Sequence, residues 1–233
     1  MRLIPPENAT ILDVGCAFGF LTGRLDRCYA VVGVELLWRY LQQAKRQFPN
    51  LRLVQAMGED LPVQTASFDT VLLLDVLEHV ADERRIIKEL ARVVQPGGTL
   101  ILSVPHRGWL ASLDAQNLYD DVRQHLPWFP ARPDERGYHR HYSLNDMTAL
   151  LAPYFTVTTV ERTGLGLAEP SNFFFLVFVY GICKQPSLFR MLQYVYFTAY
   201  IIEDLLPAGR AAYHMILRAE RVGSSLPNGP SVT

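Results

Sequence analysis

The clearest pattern in the chain is an apolar run that ends in a carboxylate and then in glycines, Thr10-Ile11-Leu12-Asp13-Val14-Gly15-Cys16-Ala17-Phe18-Gly19. Consecutive apolar residues suit a strand covered on both faces, the glycines let the backbone turn and approach a ligand, and Leu21 to Leu25 can begin a helix. The same grammar recurs. Ala30 to Val34 predicts a second strand ending in Glu35, and Leu37, Leu41, Ala44 and Phe48 fall at helical spacing until Pro49-Asn50 stops them. Leu51 to Gln55 predicts a third strand and Phe68 to Leu74 a fourth, which again ends in an acid, Asp75. From Asp82 to Val94 the stripe Ile86, Ile87, Leu90, Val93 and Val94 predicts a helix closed by Pro96-Gly97-Gly98, and Thr99 to Val104 a fifth strand. Strands alternating with helices at this spacing imply right-handed crossovers and a parallel sheet, a doubly wound α/β fold.

After Val104 the pattern changes. His106 to Pro153 reads as an irregular, aromatic-rich stretch containing Trp109, Tyr119, Trp128, Phe129, Tyr138 and Tyr142. Such a segment, placed beyond the carboxyl end of a strand, lies where α/β sheets bind ligands and suits a substrate lid. Phe155 to Arg162 and Ala212 to Glu220 predict a sixth and a seventh strand, with an apolar insertion, Asn172 to Leu206, between them. The expected organisation is one domain over 1–222 with insertions at 106–153 and 163–210. A Ser/Pro/Gly-rich tail, 223–233, is expected to be disordered.

Composition narrows the function classes. With 22 basic and 23 acidic side chains in 233 residues, the net charge of -1 offers no general basic field, so nucleic acid is not an expected partner. Cys16, Cys28 and Cys183 are an odd set without Cys-x-x-Cys spacing, which argues against a disulfide framework and a zinc site and fits a reducing cytoplasm. Met1 to Thr10 has one Arg followed by Pro-Pro-Glu-Asn and no apolar core, so no signal peptide is expected.

Glu35 lies about twenty residues beyond Gly15, the spacing at which doubly wound folds hold ribose hydroxyls with an acid. The bland alternative is a tight turn of any α/β protein. A nicotinamide-dependent dehydrogenase shares both features. It calls, however, for glycine where Ala17 stands, often also at Phe20, and for an apolar residue at Asp13.

Taken together, Leu12 to Gly19, Glu35, Gly58-Glu59-Asp60-Leu61-Pro62, Ser67-Phe68-Asp69, Asp75-Val76-Leu77-Glu78-His79-Val80 and Arg92 to Leu100 resemble class I S-adenosyl-L-methionine (SAM)-dependent methyltransferases. The branch most resembled includes the ubiquinone-biosynthesis O-methyltransferases. The likeness covers residues 10 to 105 and continues more weakly through His139-Arg140-His141-Tyr142-Ser143 to Thr163. It implies a Rossmann-like, mostly parallel seven-stranded sheet with an antiparallel last strand and helical insertions. By the same resemblance Asp13, Gly15, Cys16, Ala17 and Gly19 would hold the methionine portion, with amides of the first helix facing its carboxylate. Glu35, with Leu36 beside it, would take the ribose, while Met57, Gly58 and Glu59 would flank the adenine and Asp75 with Val76 would wall the sulfonium.

Two positions depart from the family pattern. Ala17 replaces a glycine, which the turn accommodates if its φ is negative, and Met57 replaces the Asp that many relatives use toward the adenine amine.

The reaction expected is methyl transfer to a small, lipophilic or aromatic acceptor, on oxygen, with a non-catalytic SAM-binding module or a dehydrogenase as alternatives. His79, His139 and His141 are candidate bases, each with a bland reading as a core, helix-start or surface histidine. Glu59-Asp60 also reads as a solvated turn, and Asp75 as a cap for the helix after it. His139 and His141, two residues apart with no third clear ligand, do not make a metal site.

Phe173 to Tyr180 is too short to span a bilayer, and the helix read from Leu188 to Leu206 contains Arg190, Gln193, Glu203 and Asp204. The segment 172–206 therefore suits a lid, a homodimer face or a contact with a lipophilic acceptor or membrane surface. A cytoplasmic protein, or one peripheral to the inner face of the membrane, is expected.

Overall fold

Because the apolar runs alternate with amphipathic helices, the strands pair in parallel with crossovers between them. The computed structural model describes residues 9–109, 111–126, 128–131, 139–204 and 212–223. Its strands are β1 (Thr10–Val14), β2 (Ala30–Glu35), β3 (Arg52–Gln55), β4 (Phe68–Leu74), β5 (Val94–Pro105), β6 (Phe155–Thr163) and β7 (His214–Arg221), in sheet order β3-β2-β1-β4-β5-β7-β6. β1 lies parallel to β2 and β4, with Asp13 opposite both Gly33 and Leu72, so these three strands end on one edge. Chain order reverses between β1 and β4, which makes their carboxyl ends the expected ligand crevice. β7 runs antiparallel to both neighbours: Tyr213 N donates to Gly164 O and Val222 N to Tyr154 O, while His106 N donates to Tyr213 O and the Arg221 guanidinium to Val94 O.

The helices between the early strands are α1 (Phe20–Leu25), α2 (Trp38–Gln47) and α3 (Glu83–Val93). Asp82 caps α3 by accepting from Arg85 N at 3.0 Å, and the expected stripe Ile86, Ile87, Leu90, Val93 and Val94 is wholly buried. Leu41 and Ala44 are the buried face of α2, and Leu25 joins Ile11, Val31, Leu72 and Ile101 in one core cluster.

Several expectations change. β5 begins at Val94 rather than Thr99, because Pro96-Gly97-Gly98 forms an irregular opening, with a shift of register against β4 between Phe68 and Thr70, rather than a turn before the strand. The stretch from 106 to 153 is not irregular: it contains α4 (Ala115–His125) and α5 (Leu144–Leu151). Asp114 starts α4 by accepting from the amides of Gln116 and Asn117, a capping signal that the aromatic residues around it obscured. The apolar insertion forms α6 (Glu169–Phe174), a π-helical segment (Phe175–Ile182) and α7 (Pro186–Asp204). Leu206, Tyr138 and the tail beyond Gly223 lie outside the described residues.

By its contacts the chain forms two compact units. The first is Met1–Ser103, Asn145–Val160 and Ile216–Thr233, and the second Val104–Leu144 and Glu161–Met215. The second gathers most of both insertions around its own cluster of Tyr119, Phe129, Leu176, Val179 and Phe189. Residues 145–153, most of α5 among them, belong to the first unit.

Leu90 is fully buried on the α3 stripe. Leu90→Ala is expected to lower unfolding free energy by about 2–5 kcal/mol in a denaturant titration, against less than about 0.5 kcal/mol for the exposed Arg84→Ala.

Candidate cofactor site at the carboxyl edge of the sheet

The turn after β1 is pinned by backbone bonds before any side chain takes part. Gly15 N and Cys16 N both donate to Val34 O, at 2.8 and 3.0 Å, and Gly19 N donates to Cys16 O at 2.8 Å. Gly15 has φ +81°, and a Cβ there would stand 2.3 Å from Val76 Cγ2, so both backbone and space demand glycine. Ala17 has φ +45°, which corrects the expectation of a negative angle: an L-residue is held in the left-handed region by its neighbours.

What holds it there is Glu35. This buried carboxylate accepts from Ala17 N through Oε2 (3.0 Å) and from Leu37 N through Oε1 (2.9 Å). Each oxygen keeps a further lone pair, so the side chain can still accept two hydroxyls from a vicinal diol. Asp13, also buried, accepts from Thr22 Oγ1 at 2.6 Å, and burial pushes its pKa up to about 6 against the relief from Thr22, with Glu35 adding repulsion. Cys16 is buried against Gly33, and burial followed by the charges of Asp13 and Glu35 pushes its thiol up to about 12, so it packs rather than reacts. The fit to SAM is therefore chemical: one anion suited to a diol, and a second that a cationic amine would draw into its ionised form.

At the ends of β2 and β3, Leu36 and Met57 are 53% and 52% exposed, apolar side chains at the sheet edge suited to a planar base. Gly58 follows, where a Cβ would meet Ile86 Cδ1 at 2.6 Å, and then the half-buried Glu59. α3 clamps the following loop: Leu61 N donates to Glu89 Oε1 (2.8 Å), while Arg92 donates to the carbonyls of Leu61 and Val63 (2.9 Å each) and to Glu89. The Arg92 bond holds Glu89 below the usual carboxylate range. After β4, Asp75 has φ +52°, with its amide 3.1 Å from Ser103 Oγ and its Oδ1 accepting from that hydroxyl at 2.8 Å. The short 3-10 turn Leu77–His79 has Val76, not Asp75, at its cap position. α1 is only six residues long and Gly19 precedes it in the left-handed region.

Asp13, Gly15 to Gly19, Glu35, Leu36, Met57, Gly58, Glu59, Asp75, Val76 and His79 all belong to the first unit. His139 and His141 belong to the second unit, where both face Asp114. Asp114 Oδ2 accepts from Tyr213 OH (2.8 Å) and lies 3.2 Å from His139 Nδ1 and 3.6 Å from His141 Nε2. Burial alone would raise Asp114, but His139, the α4 amides and Tyr213 outweigh it and hold the carboxyl at about 2. Burial lowers the His141 pKa despite the charge of Asp114. Asn117 fixes His139 further, accepting from its amide at 2.8 Å and donating to its carbonyl at 2.9 Å. Among the described residues no group of three side chains that could ligate a metal comes together.

Sequence reasoning missed Thr22, Ser103, Glu89, Arg92, Asp114 and Tyr213. Thr22 was within reach, since it falls in the helix that follows the turn. Each of the others also bonds a residue 28 or more positions away in the chain, Glu89 and Arg92 with Leu61, Ser103 with Asp75 and Asp114 with Tyr213.

Comparison with known proteins bears on the fold and the cofactor. A methyltransferase domain model matches residues 12–102. Residues 12–102 are a class I SAM-dependent methyltransferase domain. The ubiquinone biosynthesis O-methyltransferase of Paracidovorax citrulli is 35% identical over 121 residues, 48% of this chain and 50% of that protein. The Coxiella burnetii enzyme of the same name is 33% identical over 108 residues, 44% of this chain and 46% of its own length. The chain spans about half the length of these curated relatives. A SAM-dependent methyltransferase from Methanosarcina mazei, 19% identical, superposes with a TM-score of 0.62 over 96% of each chain, which shows the Rossmann-like methyltransferase fold. SAM is the cofactor of that family.

Two outcomes follow for this methyltransferase domain. Ala17→Gly relieves a left-handed alanine and is expected to raise stability by about 1 kcal/mol, read as a higher melting temperature. Asp13 has a folded pKa of about 6 against 3.8 ordinarily, so its protonated form stabilises the fold fully below about pH 4 and that contribution is lost as pH rises through 6. Asp13→Asn, which keeps an acceptor for Thr22, should flatten the stability curve between pH 4 and 6.5 by roughly 2–3 kcal/mol. An unchanged slope would mean that Asp13 does not carry this proton.

Proposed function

We propose that the chain transfers a methyl group from SAM to the oxygen of a small lipophilic or aromatic acceptor. The observation that carries the cofactor reading is the Glu35 carboxylate, oriented by the amides of Ala17 and Leu37 beside the buried Asp13. Transfer to oxygen and a ring-bearing acceptor are favoured by relatives named ubiquinone biosynthesis O-methyltransferases.

When bound, SAM supplies an electrophilic methyl carbon on a sulfonium. The chain's task is alignment: Glu35 would fix the ribose, Asp13 and the Gly15 to Gly19 turn the amino acid portion, and Asp75 with Val76 the wall beside the reacting carbon. In-line attack forms the oxygen–carbon bond as the carbon–sulfur bond breaks, its electron pair staying on sulfur and the hydroxyl proton passing to a base.

His79 is our candidate for that base. It belongs to the same unit as the cofactor residues, and its Nε2 lies 3.8 Å from the buried Glu78 Oε1, which would stabilise the imidazolium. His139 and His141 are weaker candidates because the Nε2 atoms of both are buried and their rings are turned toward Asp114. Their role in this reading is to anchor residues 139–143 to α4.

Incubation with SAM and a panel of phenolic and lipophilic acceptors is expected to yield products heavier by about 14 daltons, the mass of one added CH2. His79→Gln should lower kcat by about 10²- to 10⁴-fold with SAM affinity retained. His139→Gln should lower stability while changing kcat little. SAM binding without any methylated product would instead support a non-catalytic binding module. SAM affinity should also rise with pH through 6, since a bound ammonium favours ionised Asp13; calorimetry in buffers of different ionisation enthalpy reads the released proton.

A further inference from the structure

We propose that Ser103 is a positioning residue: it fixes the Asp75 carboxylate at the crevice so that the site favours the sulfonium of SAM over S-adenosylhomocysteine, the neutral thioether left once the methyl has gone. This inference rests on the SAM reading above and concerns residues of the first unit alone.

The chain is strained where β4 ends. Asp75 has φ +52°, a left-handed conformation that an L-residue keeps only when its surroundings impose it. One neighbour does so here. Ser103, 7% exposed near the end of β5 and in register with Leu74, accepts from Asp75 N through its hydroxyl (3.1 Å) and its carbonyl (3.2 Å), and donates that hydroxyl to Asp75 Oδ1 at 2.8 Å. A single serine thus fixes both the backbone and the carboxylate of Asp75. Beyond this turn Val76 lies against Gly15, in the space that a Cβ there would fill. Asp75 is exposed at the carboxyl end of β4, where chain order reverses against β1 and α/β sheets bind their ligands.

Charge assigns the task. SAM and S-adenosylhomocysteine share the adenine, the ribose and the amino acid portion, so Glu35 and Asp13 would meet the same groups in both. The two ligands differ by one methyl and one positive charge, both at sulfur. Asp75 and Val76 are the pair read as the wall beside that atom, and only Asp75 of the two is ionisable. Glu78, the next acid along the chain, is buried with its Oε1 3.8 Å from His79 Nε2. Opposite charges a few ångströms apart at a partly solvated site bias such a pair of ligands severalfold, provided that the carboxylate is held in place.

Calorimetric titration of SAM and of S-adenosylhomocysteine into the wild-type chain, Asp75→Asn, Ser103→Ala and the double variant tests the proposal. The quantity read is the ratio of the two dissociation constants, because a general loosening of the sheet edge weakens both ligands alike. Asp75→Asn keeps an oxygen for the Ser103 hydroxyl and a side chain that tolerates the left-handed region, and should shift the ratio toward S-adenosylhomocysteine by roughly three- to tenfold. Ser103→Ala should shift it in the same direction by about two- to threefold, and should add nothing in the Asp75→Asn background, since it acts through that charge. Both shifts should shrink as ionic strength rises. A ratio unchanged in either single variant, or a Ser103→Ala shift that persists without the Asp75 charge, would overturn this proposal and leave the SAM reading standing. Wild-type protein that binds neither compound would overturn both.

Discussion

Glu35 is the constraint on which the carboxyl edge of the sheet depends. Its two oxygens take the amides of Ala17 and Leu37, so one buried carboxylate ties the turn after β1 to the start of the segment leading into α2. That bond supports the otherwise unfavourable conformation at Ala17, and the same turn is locked from behind by the amides of Gly15 and Cys16 on Val34 O. A carboxylate fixed by two main-chain donors has little freedom to rotate, and a site preorganised in this way loses little conformational entropy on binding.

A second layer of support comes from α3. Its buried stripe fixes the helix against the sheet, and its Glu89 and Arg92 reach outward to hold the carbonyls and amide of the loop that follows Gly58 and Glu59. Packing and polar positioning are thus divided between two faces of one helix. The second unit uses its buried polar groups differently. Asp114 and Glu169 together take the amides of Ala115, Gln116 and Asn117 at the start of α4, and pass the remaining oxygens to Tyr213 and Tyr196. Those bonds explain why two carboxylates are kept inside an aromatic cluster where burial alone would disfavour their charge.

Local chemistry made much of this legible in the sequence. The apolar runs closed by Asp13, Glu35 and Asp75 mark the ends of β1, β2 and β4, and the stripe of α3 appears where its spacing placed it. Features set by distant partners were not legible. Nothing near Ala17 announces a positive φ, because Glu35, eighteen residues away, imposes it. Val94 joins β5 although Pro96-Gly97-Gly98 reads as a stop, since pairing with Phe68 on β4 overrides the local signal. α4 was hidden because its apolar partners, Phe129, Leu176 and Val179, come from other segments, leaving only the Asp114 cap to be read.

If Glu35 and Asp13 make this edge a SAM site, calorimetric titration of SAM into the wild-type chain and into Glu35→Gln will separate the two proteins. SAM is expected to bind saturably, weakened roughly 10- to 100-fold by the substitution through loss of a charge-assisted bond, with no measurable binding of NAD to either protein. Equal SAM affinity in the two proteins, or tighter binding of NAD than of SAM, would contradict it.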